Sequence, residues 1–254
     1  MRESREETMM RFVRTAWALA LAGAMAAPAA AAAQGAKKPV VVVLAFDNNS
    51  IGKDAADYNG IGKAIQDMLI TDLASNPNVV LVDRDHIEQI LQEQHLTKEG
   101  AIDPATAVRI GKLLGAQYMI EGGFMSDGRG NMVLTARSTS IETGAISNPQ
   151  RVQQKTDDVL GMIAQMSDKV SRDMKLPALD HGTGAVTTPK TGTVGTTGKK
   201  MDLRTAMLYA KALDAQDSGD KAKAVELYNQ VLKKFPDYTP AKEHLARVSG
   251  TSGD

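Results

Sequence analysis

The sequence predicts an α/β domain, with a mixed sheet of about five strands packed with helices, followed by an all-α helical hairpin. Three observations support this fold class. A continuous β-branched run, Pro39–Phe46, precedes a series of segments with helical periodicity. Two turn signals, at 127–130 and 142–144, separate three apolar segments, as in an antiparallel meander. The C-terminal fifty residues have the spacing of a tetratricopeptide-like helix pair.

The first half of the domain alternates strands and helices. The run 39–46 has no polar alternation, which predicts a central strand buried on both faces, and the turn formers from Asp47 to Ser50 end it. An amphipathic helix is expected over 59–75, because apolar residues recur there at helical spacing. A short strand at 79–82 and a helix capped by Asp83 or Asp85 follow.

The second half closes the domain. Asp103-Pro104 predicts the start of a helix that runs to Leu114, with Gly111 on the face that would lie close to a sheet. The three meander strands are expected at 117–124, 131–141 and 145–154, and a last helix at 157–174. Residues 38–176 should therefore form one domain with a single core.

A linker and a helical tail follow this domain. Residues 177–200 are rich in Gly, Thr and Pro, and a flexible chain of this length spans about 27 Å, so the tail is expected to be tethered without a fixed position. In the tail, 201–250, a tetratricopeptide-like repeat is expected at 205–238 and a capping helix at 239–248. Since one repeat is rarely stable alone, it should dock on the main domain, on another copy or on a partner.

The N-terminal residues 1–33 are predicted to be a cleaved signal peptide. Arginines at 11 and 14 precede the apolar core Trp17–Ala27, and an alanine tract ends at Ala33. A transmembrane helix needs about 20 apolar residues, so cleavage near Ala33 is preferred to an uncleaved anchor. Translation beginning at Met1 or at Met10 is left open.

Composition narrows the classes of function. The chain contains no cysteine, which excludes disulfides and a lipidated N-terminal cysteine. Removal of residues 1–33 leaves 26 basic and 27 acidic residues, a balance that offers no electrostatic attraction for nucleic acid. We therefore expect a periplasmic protein with no integral membrane segment after cleavage.

The sequence contains only incomplete versions of the motifs that bind phosphate, calcium or zinc. The segment 60–63 (GIGK) lacks the first glycine and the Ser/Thr of a phosphate loop, and the segment beginning at Asp47 lacks the ligands of a calcium loop. His86 and His95 do not have zinc-ligand spacing. No nucleophile elbow or metalloprotease motif is present, so no catalytic residues, cofactor or metal are predicted.

Five ordered motifs begin at Val42, Val82, Ile110, Ile120 and Glu142 (VxLxFD, VDRxxIxxILxEQ, IGKLLGA, IxG and ETG). Together they resemble the CsgG family, whose periplasmic domain is similar to the TolB N-terminal domain. The resemblance implies an α/β scaffold that serves protein contacts. The lipidated cysteine and the long barrel-forming hairpins of the secretion channel are lacking here, because each meander turn has only a few residues. The pore activity is therefore not carried over.

The sequence thus predicts a non-catalytic adaptor or assembly factor that binds envelope or secreted proteins. An oligomeric component of a curli-type outer-membrane system, with homo-oligomers, and an envelope enzyme are the alternatives. By analogy with tetratricopeptide repeats, the first helix of the tail should line a protein-binding groove, formed by Tyr209, Leu213, Gln216, Asp217 and Tyr238. Core packing is the alternative for Tyr209 and Leu213. Asp83 and Arg84 are expected to cap a helix.

Overall fold

The computed structural model describes residues 38–53, 55–94, 104–176 and 200–250. Its strands are β1 (Val40–Val43), β2 (Asp47–Asn48), β3 (Val80–Leu81), β4 (Tyr118–Ser126), β5 (Asn131–Ser140) and β6 (Gln150–Lys155). Its α-helices are α1 (Ile61–Ala74), α2 (Arg84–Glu93), α3 (Pro104–Leu113), α4 (Val159–Asp173), α5 (Leu203–Asp217), α6 (Lys221–Lys234) and α7 (Thr239–Val248). In the described ranges no helix is long and apolar enough to cross a membrane.

The predicted mixed sheet is confirmed. Its strand order is β3-β1-β4-β5-β6, with β2 also beside β4. The pairs that involve β1 to β3 are parallel, whereas β4, β5 and β6 form the expected antiparallel meander. Val41, Val42 and Val43 are fully buried, so β1 is covered on both faces, as its unbroken apolar run indicates.

Two strand boundaries differ from the prediction. The run 39–46 is not one strand, because the chain leaves the sheet after β1, where the Phe46 amide donates to the Gly62 carbonyl at 3.2 Å. The predicted turn at 47–50 then returns to the sheet as β2. The connection from β5 to β6 spans 141–149, longer than the predicted turn, and only an isolated bridge at Ile146 extends the pairing.

Helices cover the sheet unequally on its two sides. On one side α1 and α4 pack on all the long strands and form the larger core. On the other side α2 and α3 cover β1, the beginning of β4 and the end of β5, through a smaller apolar cluster. Gly111 of α3 lies against Ile141, and a Cβ at Gly111 would be 2.4 Å from that side chain, so the predicted close approach to the sheet is confirmed. The far half of this second face has no helix over it among the described residues.

Aspartate caps define the starts of several helices. Asp83, Asp158, Asp202 and Asp220 each accept a hydrogen bond from a backbone amide in the first turn of α2, α4, α5 and α6, respectively. Such a cap satisfies one of the free amides at a helix start and stabilises it by about 1 kcal/mol. The expected capping by Asp83 is confirmed.

The tail helices pack against the α/β domain. α5 packs along α1, and residues of α5, α6 and α7 belong to the same apolar core as α1 and α4. Backbone hydrogen bonds of 2.8 Å also join Val159 to Met201 and Leu203 to Thr156. The expectation of a tethered tail without a fixed position is therefore wrong for residues 200–250, because their apolar face is buried against the domain. Residues 177–199 of the predicted linker lie outside the described residues.

Candidate functional site

A buried polar cluster lies where the tail contacts the α/β domain. Its members come from four helices that are distant in sequence: Lys63 and Asp67 on α1, Arg84 and Asp85 on α2, Tyr209, Gln216 and Asp217 on α5, and His244 and Arg247 on α7. We call these nine residues the docking cluster. It joins α1 and α2 of the domain to α5 and α7 of the tail.

Arg84 is the central cation of the docking cluster. Its side chain is 1% exposed and forms a two-pronged pair with Asp217, with Nη1 to Oδ2 at 3.0 Å and Nη2 to Oδ1 at 2.9 Å. Nη2 also donates to Asp85 at 2.7 Å. Burial alone would lower the pKa of Arg84, but the hydrogen bonds and charges of these carboxylates raise it above its usual value. The guanidinium is therefore a permanent charge that holds two helices together.

Asp67 is the corresponding buried anion. Its Oδ2 accepts from the Tyr209 hydroxyl at 2.5 Å, and its Oδ1 lies 3.1 Å from His244 Nε2. Burial alone would raise the pKa of Asp67, but the hydrogen bonds from His244 and Tyr209 and the charge of Arg84 lower it below its usual value. The carboxylate thus stays ionised inside the protein because each oxygen has a partner.

His244 faces acceptors on both sides of its ring. Gln216 Nε2 lies 3.2 Å from an Asp85 carboxylate oxygen, which can only accept, so Gln216 Oε1 is the atom 3.1 Å from His244 Nδ1. Asp67 accepts from Nε2. Both ring nitrogens therefore lie against oxygen atoms of neighbouring helices, Gln216 on α5 and Asp67 on α1. The ring also stacks on Tyr228, with centroids 5.6 Å apart.

The structure brings the five predicted groove residues together at this interface. Tyr209, Leu213 and Tyr238 are fully buried, and Tyr209 packs edge-on against Tyr238 with centroids 5.2 Å apart. Gln216 and Asp217 belong to the docking cluster. The face that carries them is covered by α1 and α2 of the same chain, and core packing, the alternative for Tyr209 and Leu213, is what the structure has.

Six members of the docking cluster are not predicted from sequence to belong to a site: Lys63, Asp67, Arg84, Asp85, His244 and Arg247. In the sequence, Lys63 belongs to an incomplete phosphate loop, and Arg84 and Asp85 lie at a predicted helix start. Asp67 had a signal, because it is a carboxylate between apolar residues of the predicted helix 59–75. A charge at such a position usually has a buried partner.

The remaining sequence motifs have structural roles. Gly60 is the N-cap of α1 with φ +88°, and a Cβ at Gly62 would lie 1.9 Å from the Phe46 carbonyl oxygen, so these glycines shape a helix start, as predicted. The segment beginning at Asp47 forms β2. His86 is exposed on α2, whereas His95 and His181 lie outside the described residues. No group of three or more potential metal ligands is found in the described part of the chain.

A groove is open on the half of the sheet that the helices leave uncovered. It encloses about 480 Å³, and its walls are the β1–β2 connection and Pro149. Its floor is formed by β4 and β5, including Met125, Val133 and Thr135. Arg137 Nε donates to Glu121 at 3.0 Å within it, where Glu121 is buried and Arg137 is 38% exposed. This groove, unlike the docking cluster, is accessible to a partner in the folded chain.

Comparison with known proteins supports the resemblance found in the sequence. The family model described as "Curli production assembly/transport component CsgG" matches residues 22–131. Among curated proteins, none matches the chain with significance.

Several solved structures match this chain at low similarity. The LpoB C-terminal domain from Salmonella enterica is 18% identical, over 47% of this chain and 84% of that one, with a TM-score of 0.35. Lipoprotein GNA1162 from Neisseria meningitidis is 10% identical, over 54% and 96%, with a TM-score of 0.35. A PelC dodecamer from Paraburkholderia phytofirmans is 14% identical, over 55% and 89%, with a TM-score of 0.32. TM-scores this low support no conclusion about the function of this chain.

Proposed function

We propose that this protein is a non-catalytic adaptor or assembly factor of the cell envelope, which binds another protein through the open face of its sheet. One observation carries the proposal. The ionisable groups of the docking cluster pair with one another between the tail and the domain, whereas the sheet groove with Arg137 is open to solvent and no described helix covers it. Charged side chains that pair with one another hold the helices of the fold together, and an open groove is where a partner can bind.

The location is part of the same proposal. The predicted signal peptide and the match to a family named for curli assembly and transport support an exported protein of the envelope. In this proposal the tail has a structural role, because it holds α1 and α2 in place. A partner would reach the predicted groove residues, such as Tyr209 and Leu213, only after α5 leaves α1, because both are fully buried.

Chemical crosslinking in intact cells, followed by mass spectrometry, tests the proposal. Lys155 on β6 is exposed beside the sheet groove, and Lys63 is on the tail-facing side of α1. We expect crosslinks to other proteins from Lys155 and none from Lys63. Crosslinks to other proteins from Lys63 but not Lys155 would instead favour a partner on the tail face, and none from either would contradict an adaptor role.

An oligomeric component of a curli-type system is the second candidate, and the family match favours it. Size-exclusion chromatography with light scattering on the mature chain separates the two. A stable ring would support the second candidate, and a strict monomer would eliminate it.

A further inference from the structure

The open half of the sheet combines an apolar floor with a polar border. On β5, alternate residues point to this side, and Val133 and Thr135 are only partly buried there. On β4, Met125 is 39% exposed. On β6, the alternate positions 151, 153 and 155 are all exposed. An antiparallel sheet commonly has one solvated face, but exposed apolar groups enclosed by a groove are typical of a binding surface.

Cations outnumber carboxylates on this surface. Neither β5 nor β6 contains an Asp or Glu, whereas Arg137, Arg151 and Lys155 are all on these two strands. The pairing of Thr135 with Arg151 and of Asn131 with Lys155 places the three cations on the same side of the sheet. Two carboxylates also line the groove: Glu121 of β4, which is paired with Arg137, and Asp47 of β2. The row of cations therefore favours an acidic partner.

Arg137 is held in position with its terminal nitrogens available. The pair with the buried carboxylate of Glu121 uses only Nε, at 3.0 Å. The two terminal nitrogens form no hydrogen bond with any described residue. A guanidinium fixed in this way presents two parallel donors in the geometry that a carboxylate accepts. It can bind one carboxylate without the entropic cost of ordering a free side chain.

We propose that this groove binds an acidic, extended segment of a partner protein, one carboxylate of which pairs with the terminal nitrogens of Arg137. An extended chain repeats its side chains on one side about every 6.8 Å, so alternate acidic residues can meet Arg151 and Lys155 while the intervening ones contact Met125 and Val133. This inference rests on the proposed function and adds the chemistry of the partner to it.

Binding of a labelled peptide to the mature chain tests the chemistry. The probe is a fluorescent Ser-Glu-Val-Glu-Leu-Glu-Ser peptide, its control is the same peptide with Gln for each Glu, and the readout is fluorescence anisotropy. We expect the Glu peptide to bind more tightly and Arg137→Gln to weaken it about tenfold or more. Joint replacement of Arg151 and Lys155 by Gln should weaken it about fivefold.

Three controls make the result specific. Because Arg137→Gln leaves Glu121 without its partner, the joint change of both residues to Gln removes the donors and the unpaired carboxylate together, and it should also lose binding. Gln at the exposed Lys221 and Lys223 of α6 removes two charges elsewhere and should change nothing. Absence of binding, equal binding of both peptides, or equal loss in the α6 variant would overturn the proposal. The proposal would also be overturned if the protein sedimented with phosphatidylglycerol vesicles in a way that depends on Arg137 and that the Glu peptide does not inhibit.

Photo-crosslinking in cells separates this inference from the proposed function. A benzoylphenylalanine placed at Thr135 on the groove floor should capture a protein through a segment rich in Asp and Glu, and Arg137→Gln should abolish the adduct. No adduct with any protein would contradict the proposed function itself. An adduct that persists with Arg137→Gln, or that maps to a segment without acidic residues, would overturn only the acidic-segment inference.

Discussion

Replacement of Arg84 by Met should destabilise the protein more than any other single charge removal at the interface. The side chain is 1% exposed and pairs through two nitrogens with Asp217, whose side chain is 15% exposed. Breaking a buried pair from one side costs about 3–5 kcal/mol, because the remaining charge stays buried without its partner. At about 2–4 °C for each kcal/mol in a chain of this size, the melting temperature should fall by about 6–20 °C.

The assay is urea unfolding of the mature chain followed by far-ultraviolet circular dichroism. Arg247→Met is the matched control, because Arg247 also pairs with Asp85 but is 42% exposed, and its loss should cost less than about 1 kcal/mol. The joint change Arg84→Met and Asp217→Leu should restore at least about 1.5 kcal/mol relative to the sum of the single changes. A loss below about 1 kcal/mol for Arg84→Met, or one equal to that of Arg247→Met, would refute the assigned role.

Three further perturbations test other parts of the structure. Burial alone would raise the pKa of Asp217, but the hydrogen bonds and charges of its cationic partners outweigh burial and lower it. Its contribution to stability should therefore be present at neutral pH and lost as pH falls below about 3.8. Asp217→Asn should flatten that part of a profile of unfolding free energy against pH. His244→Phe preserves ring stacking but leaves a buried carboxylate oxygen without its donor, so urea unfolding should show a loss of about 1–3 kcal/mol, against little change for the exposed His86→Phe. Gly62→Ala places a methyl group 1.9 Å from a backbone oxygen and should cost about 1–3 kcal/mol or more by the same measurement. As a control, Thr71→Ala on the same helix should change the stability by no more than about 0.5 kcal/mol. Equal losses at Gly62 and Thr71 would contradict the close approach of Gly62 to the Phe46 carbonyl.

The local sequence pattern is sufficient to predict most of the helices and strands. The unbroken run of valines predicted a strand buried on both faces, and the helical spacing over 59–75 predicted α1 within a residue or two. The β1–β2 break was not visible, because an apolar run contains no signal for where the chain leaves a sheet. The start of β6 was placed too early, since residues after the turn at 142–144 stay beside β5 only at an isolated bridge.

The docking of the tail could not be read from local pattern. Arg84 and Asp217 are 133 positions apart, and Asp67 and Tyr209 are 142 apart. Each residue has an ordinary local explanation, a helix start for Arg84 and a repeat position for Tyr209, and no periodicity links two such distant positions. The repeat pattern indicates a helix pair that needs a partner, but it cannot identify α1 of the same chain as that partner, because this contact depends on tertiary structure.

Zero-length crosslinking of the unmodified chain tests the central claim, that the tail docks on its own α/β domain. Lys63 Nζ lies 2.8 Å from Asp214 and 2.9 Å from Asp217, and Lys63 is 30% exposed, so a carbodiimide should join Lys63 to one of these carboxylates. In a mixture of isotopically heavy and light chains, mass spectrometry should find this link within single chains only. No Lys63 link to α5, or links mainly between heavy and light chains, would contradict docking within one chain.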